Sequence, residues 1–86
     1  MKINIRLSAG LAYAMGQTRL SLTLHPGASV ADAIDLLTAQ QPTLQGRLAR
    51  ALPMVGVRHV EVDTELTDGT ELLLLLPAAG GRNGWQ

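Results

Sequence analysis

The sequence predicts an α+β domain in which one main helix packs on one face of a mixed sheet of four or five strands. Two early segments alternate apolar and polar residues, as half-buried strands do. A stripe of apolar residues at helical spacing follows them, and a strand-like apolar run closes the pattern. The chain of 86 residues is long enough for one domain only, and its 47% apolar content supplies the single core that such a domain needs.

The first two strands are predicted by their period of two. Between them lies a segment bounded by Gly10 and Gly16, which we expect to be a loop. Two alternating segments joined by a loop form an antiparallel hairpin. The inward-facing side chains are expected to be Ile3, Ile5 and Leu7 in the first strand and Leu20, Leu22 and Leu24 in the second.

The main helix is predicted by its cap and its apolar stripe. Ser29 and Asp32 have the spacing of a capping box, and Pro42 ends the helical pattern. The stripe consists of Val30, Ile34 and Leu37, widened by Ala33 and Leu36. A shorter helical piece is expected next, with Leu44, Leu48, Ala51 and Leu52 on one side.

The second half of the chain predicts further strands. Residues 54–62 form a third strand, which is expected to break near Arg58 and His59, and Asp68-Gly69 is a turn. The run Leu72–Leu76 does not alternate, so both of its faces are expected to be covered or nearly so. It is therefore predicted as the central strand, parallel to the first strand beside it. This is the β-grasp arrangement.

Composition argues against several classes of function. Seven basic and seven acidic residues balance, no basic stripe emerges, and Tyr13 and Trp85 are the sole aromatic residues. Nucleic-acid binding is therefore not expected. No signal peptide is visible and the leucine run is far shorter than the ~20 residues of a membrane helix, so the chain is expected to be cytoplasmic without membrane association.

Candidate catalytic groups are scarce. There is no Cys, and His25 and His59 are too far apart in sequence to indicate a metal site. The segment SAGLAYAMG lacks the Lys-Ser/Thr ending of a phosphate-binding loop. We therefore expect no catalytic residue, no bound metal and no bound cofactor, and the chain is not expected to be an enzyme by itself.

Two segments remain that carry functional signals. Five carboxylates fall within eleven residues, which indicates either a solvated edge or a docking surface for a basic partner. Residues 1–77 are predicted to be the domain, and residues 78–86 a flexible arm with Gly80-Gly81 and the extension Arg82–Gln86. The carboxylates are Glu61, Asp63, Glu65, Asp68 and Glu71.

The chain resembles the ubiquitin-related sulfur-carrier proteins, which include the small subunit of molybdopterin synthase and the thiamine-pathway sulfur carrier. The resemblance rests on LHPGASVADAIDLLTAQQPTL and on VDTELTDGTELLLLLPAAGG, and it covers nearly the whole chain up to Gly81. Three features depart from the family pattern. Arg58 stands where an asparagine is common, Ala78 and Ala79 replace a proline and a β-branched residue, and Gly81 is not the last residue.

The resemblance implies a function for the arm. An adenylyltransferase of the ubiquitin-activating type would use ATP to activate Gly81, and sulfur would convert it to a thiocarboxylate. Gly80 would give slim access to that enzyme's active site. A peptidase would first cut between Gly81 and Arg82, unless Trp85 packs on the domain and the extension stays.

The resemblance also implies partners. Besides the activating enzyme, they are the large subunit of molybdopterin synthase or a thiazole synthase. Pro77, Ala78 and Ala79 are expected to contact the activating enzyme, while Glu65 and Glu71 steer the encounter. Two alternatives remain open: a protein modifier that joins Gly81 to a lysine, and a β-grasp interaction module whose arm is never activated.

Overall fold

Five strands, three α-helices and one 3₁₀ turn make up residues 1–77, the part of the chain that the computed structural model describes. The alternating strand segments and the helical stripe of the sequence all appear as regular elements. In chain order the elements are β1 (Lys2–Leu7), α1 (Ala9–Met15), β2 (Arg19–Thr23), α2 (Val30–Gln40), a 3₁₀ turn (Pro42–Leu44), α3 (Gln45–Arg50), β3 (Leu52–Val55), β4 (Arg58–His59) and β5 (Glu71–Leu75).

The five strands form one mixed sheet in the order β2-β1-β5-β3-β4. β1 pairs antiparallel with β2 and parallel with β5, and β3 pairs antiparallel with both β5 and β4. The first and last strands therefore lie side by side at the centre of the sheet. The α+β, β-grasp prediction is confirmed.

The core lies between one face of this sheet and the helices. Ile3, Ile5 and Leu7 alternate into it from β1, and Leu72 and Leu74 join them from the neighbouring strand. β2 contributes Leu22, and the helices and loops contribute the other buried apolar side chains. These are Leu11, Leu24, Ala28, Val30, Ala33, Leu37, Leu44, Leu48, Ala51 and Leu66.

The prediction that both faces of the leucine run are covered or nearly so holds for one face and is wrong for the other. Leu72 and Leu74 are fully buried, but Leu73 is half-buried and Leu75 is 36% exposed. The pleat of a strand sends successive side chains to opposite faces, and here the helices cover one face alone. The sheet therefore keeps an open face with apolar side chains at its centre.

The predicted loop between the first two strands is also wrong, because residues 9–15 form α1. Its N-cap is Ser8, and Gly16 ends it in a left-handed conformation with φ of 78°. Leu11 is its buried residue. The two strands still form an antiparallel pair, but the connection between them is a helix.

Three apolar residues lie elsewhere than predicted. Leu52 does not extend the short helix but begins β3, where it is 40% exposed. Val57 occupies the tight turn between β3 and β4 and is 94% exposed, and Val62 is 53% exposed in the loop after β4. The predicted break into a third and a short fourth strand is therefore present, but the turn lies at residues 56–57, and Arg58–His59 form β4 instead of the break.

The capping box of α2 is confirmed. The Ser29 side chain accepts a hydrogen bond from the Asp32 backbone N–H, and the Asp32 carboxylate accepts one from the Ser29 backbone N–H at 2.8 Å. That second bond is the main reason why the pKa of Asp32 lies below its usual value, with the Ser29 hydroxyl and His25 acting in the same direction. The entry of the chain into α2 is fixed by these reciprocal contacts.

The burial difference along β5 predicts a stability difference between adjacent leucines. Leu72→Ala should lower the free energy of unfolding by about 2–5 kcal/mol, because it leaves a cavity in the closed core. Leu73→Ala is the matched control, and it should cost clearly less because its side chain lies on the open face. Urea unfolding of both variants checks this, and equal losses would contradict the one-sided sheet.

The cap predicts a pH dependence. Because the pKa of Asp32 is lowered in the folded chain, its carboxylate stabilises the fold at pH above the unfolded value of about 3.8. That contribution disappears as the pH falls through the folded pKa. Asp32→Asn should therefore destabilise the protein at neutral pH, and the difference from wild type should shrink below about pH 3.8. Thermal unfolding at several pH values measures it, with Asp35→Asn on the same helix as the control.

Candidate functional site at the base of the arm

The end of β5 is anchored to the residue before α1. The Ser8 backbone N–H donates to the Leu74 carbonyl at 3.1 Å. The Leu76 backbone N–H donates to the Ser8 side-chain oxygen at 2.9 Å. Because β1 and β5 are parallel neighbours, their carboxyl ends meet at the same edge of the sheet. Ser8 therefore holds the chain one residue beyond the last strand.

Gly10 lets this segment approach α1 closely. A Cβ atom at position 10 would lie 3.1 Å from Cδ2 of Leu76, which is tighter than ordinary van der Waals contact. Leu76 itself is half-buried against the core. Leu76 is thus held by the hydrogen bond of its backbone N–H to Ser8 and by the packing of its side chain on Gly10.

A groove surrounds the point where the chain leaves the sheet. One wall comes from the start of α1, and the other comes from the two arginines of α3. Arg50 Nη1 donates to the Gly46 carbonyl at 3.3 Å, which holds its side chain along the helix. The lining residues are Ser8, Ala9, Gly10, Arg47, Arg50, Leu75, Leu76 and Pro77.

The open face of the sheet borders the same exit. Strand register places Arg6 beside Leu73, and Leu73 beside Met54. Leu75 pairs with Leu52 in the next row, and both are partly exposed. An apolar patch, consisting of Leu52, Met54, Leu73 and Leu75, therefore leads to the base of the arm.

The acidic residues predicted to steer docking lie away from this exit. Glu71 begins β5, whereas Pro77 comes six residues later, roughly 20 Å away along an extended chain. Glu65 forms an isolated antiparallel bridge with Ser29 at the start of α2. Both carboxylates are exposed, so they remain available to solvent. The structure brings neither of them together with Pro77.

The remaining predicted site residues fall outside the described part of the chain. Pro77 is described and exposed. Ala78, Ala79, Gly80, Gly81 and Arg82 lie beyond it, so their roles and the boundary between domain and arm stay predictions.

Residues 1–77 show little that resembles a catalytic or metal centre. Within them, no group of three or more His, Asp or Glu side chains is placed to hold a metal ion. His25 Nε2 lies 3.8 Å from a carboxylate oxygen of Asp32, but both side chains are substantially exposed. The same residues contain no helix that is long and apolar enough to cross a membrane.

Sequence reasoning missed the anchor formed by Ser8 and Gly10. The local signal was present, since Ser8 is a favoured N-cap, Gly16 is a favoured helix end and small helix-forming residues lie between them. The two glycines that bound the segment are also typical of a loop, which is why the pattern predicts one. The contact with Leu76 spans 68 residues of sequence, so no local pattern reveals it.

The fold has close counterparts among solved structures. Small archaeal modifier protein 1 from Haloferax volcanii superposes with a TM-score of 0.83 at 24% identity, covering 94% of this chain and 100% of that one. The HVO 2177 protein from the same organism gives a TM-score of 0.81 at 26% identity, covering 94% and 87%.

A third counterpart comes from a complex. A chain in the complex of subunits 1 and 2 of molybdopterin-converting factor from Helicobacter pylori superposes with a TM-score of 0.65 at 16% identity, covering 94% of this chain and 100% of that one. No protein-family model matches the sequence, and no curated protein matches it. These likenesses show a ubiquitin-like β-grasp fold.

The anchor predicts that the Leu76 amide is protected from solvent by Ser8. Ser8→Ala removes the acceptor of that hydrogen bond, so the Leu76 amide should exchange its hydrogen faster, while the Leu72 amide in the sheet should not change. Hydrogen exchange followed by NMR measures both. Ser21→Ala, at an exposed serine of β2, is the control, and an unchanged rate at Leu76 would contradict the anchor.

Proposed function

We propose that this protein is a sulfur carrier that is activated at Gly81 after removal of residues 82–86. The observation that carries the proposal is the position of the diglycine. The diglycine begins five residues after the end of β5, the central strand. Ser8 anchors the end of that strand at one edge of the sheet. An arm that starts from so fixed a point can be threaded into the active site of another protein.

The proposed chemistry starts with hydrolysis of the Gly81–Arg82 amide. Water adds across this bond, leaving a carboxylate on Gly81 and a free amine on Arg82. The carboxylate attacks the α-phosphorus of ATP, pyrophosphate leaves, and an acyl-adenylate forms. Sulfide then attacks the carbonyl carbon and AMP leaves, which gives a thiocarboxylate. ATP belongs to the activating enzyme, and this chain contributes the carbonyl.

Glycine suits both of the last positions of such an arm. Without a Cβ atom, Gly80 and Gly81 fit a narrow channel and adopt backbone angles that other residues avoid. The carboxylate is a poor electrophile before activation, so the chemistry depends on the partner. The chain itself needs no catalytic side chain, in keeping with the scarcity of such groups in residues 1–77.

The likeness to molybdopterin-converting factor supports a partner for the open face. In Helicobacter pylori that factor is a complex of subunits 1 and 2. A large subunit of this kind, or a thiazole synthase, would cover the apolar patch of Leu52, Met54, Leu73 and Leu75 and receive the arm beside it. Molybdopterin-type synthesis is the recipient we favour, followed by thiamine or another thio-metabolite.

A second candidate function is protein modification. The likeness to small archaeal modifier protein 1 favours it, since the fold match to that protein is extensive. Adenylation of Gly81 would be the same, but a lysine amine would then attack the activated carbonyl in place of sulfide. An isopeptide bond would form and AMP would leave.

The test compares three chains that end at Gly81, at Arg82 and at Gln86. Each is mixed with ATP and a ubiquitin-activating-type adenylyltransferase, with and without sulfide, and the intact mass is recorded. Only the chain ending at Gly81 is expected to give an adenylate, and then a thiocarboxylate when sulfide is present. The Arg82 chain is the matched control because it adds a single residue.

The other outcomes separate the alternatives. If all three chains react equally, removal of the extension is not required. If none reacts with an enzyme that activates another β-grasp carrier, the sulfur-carrier proposal is wrong and the interaction module gains support. An isopeptide product with lysine-containing proteins, and no thiocarboxylate, would favour the modifier.

A further inference from the structure

The groove at the base of the arm carries two arginines on its α3 wall. Arg47 and Arg50 are spaced by three residues, so they lie on the same side of this helix. Leu48 between them is buried, which fixes the rotation of the helix and turns both arginines outward. The structure therefore presents two guanidinium groups next to Leu75, Leu76 and Pro77.

We infer that this groove is a docking site for an acidic surface of the enzyme that activates the arm. The inference rests on the proposed function and names the chemistry of its partner. Carboxylates of that enzyme would pair with Arg47 and Arg50 while the arm enters its active site. The pairing would set which activating enzyme this chain accepts.

The charges around the groove favour an anionic partner. No carboxylate lines it, and within residues 1–77 neither arginine lies within salt-bridge distance of a carboxylate. Two like charges at this spacing on one helix repel each other, and a negative surface relieves that repulsion. Both arginines are exposed, so their charges meet a partner without further rearrangement of the core.

The composition of the groove favours a protein surface as the source of the negative charge. Its lining combines four apolar residues with the two arginines. The apolar residues are Ala9, Leu75, Leu76 and Pro77. An apolar centre with arginines at the side is common in protein interfaces, where a guanidinium can bind a carboxylate through two parallel hydrogen bonds.

The nucleotide of the activating enzyme is a less suitable partner for these arginines. Gly81 lies four residues after Pro77, and an extended arm of that length reaches roughly 13 Å from the groove. ATP would therefore meet the far end of the arm. The arginines would contact the protein around the mouth of the active site.

The anchor by Ser8 and Gly10 strengthens this assignment. It holds the outgoing chain against the groove, so a partner that grips the arm must also meet the α3 wall. Charge at that point should speed the encounter, because opposite charges steer association at low salt. The effect should weaken as salt screens it.

The test uses the chain ending at Gly81 and measures adenylate formation at several salt concentrations. Arg47→Glu/Arg50→Glu should raise KM about ten-fold or more at low salt with little change in kcat. Wild type should lose kcat/KM as salt rises, and this variant should not. The matched control is Lys2→Glu/Arg58→Glu, which makes the same change in net charge at the opposite end of the sheet. It should stay within roughly two-fold of wild type in KM.

Further variants and outcomes make the test decisive. Thermal unfolding of each variant establishes that it folds, and Arg47→Gln/Arg50→Gln should give an intermediate rise in KM. Equal effects of the two charge-reversed variants, or no effect of either, would overturn the inference. If wild type is adenylated and the groove variants behave like it, the docking-site inference is wrong and the proposed function stands. If the wild-type chain ending at Gly81 is not adenylated, the proposed function is wrong, and so is the inference that rests on it.

Discussion

The parallel pairing of β1 with β5 is the contact on which the rest of the structure depends. It places Ile5 beside Leu72 and Leu7 beside Leu74, and all four side chains are buried. The pairing closes a loop that contains most of the chain, so its entropic cost must be offset by this apolar burial. It also brings Ser8 next to the segment that follows β5, since parallel strands end at the same edge.

Local signals in the sequence predicted the elements that depend on neighbours along the chain. The alternation of Ile3, Ile5 and Leu7 reflects a strand with one covered face, and the capping box of Ser29 and Asp32 forms between residues three apart. The central place of the last strand followed from its apolar character. In each case the residues that give the signal also make the contact.

The features that sequence reasoning missed depend on contacts between distant residues. Five consecutive leucines indicate burial on both faces, but the number of covered faces is set by where the helices pack, which a local window does not contain. Leu52 matches the helical spacing before it, yet pairing with Leu75 draws it into β3. The anchor of Leu76 by Ser8 likewise spans 68 residues. Residues 78–86 lie outside the described part of the chain, so the role of Gly80-Gly81 stays a prediction.

The error over the leucine run is informative about function. A strand with one covered face needs apolar residues at alternate positions, and Leu72 and Leu74 meet that need. Leu73 and Leu75 are not needed for that covered face, and they lie on the open face that borders the arm. On the other side of the arm base, α3 offers Arg47 and Arg50. Under the proposed function, a partner that takes the arm would meet apolar side chains on one side and positive charge on the other. These two surfaces would then supply selectivity that Gly80 and Gly81, which have no side chains, do not.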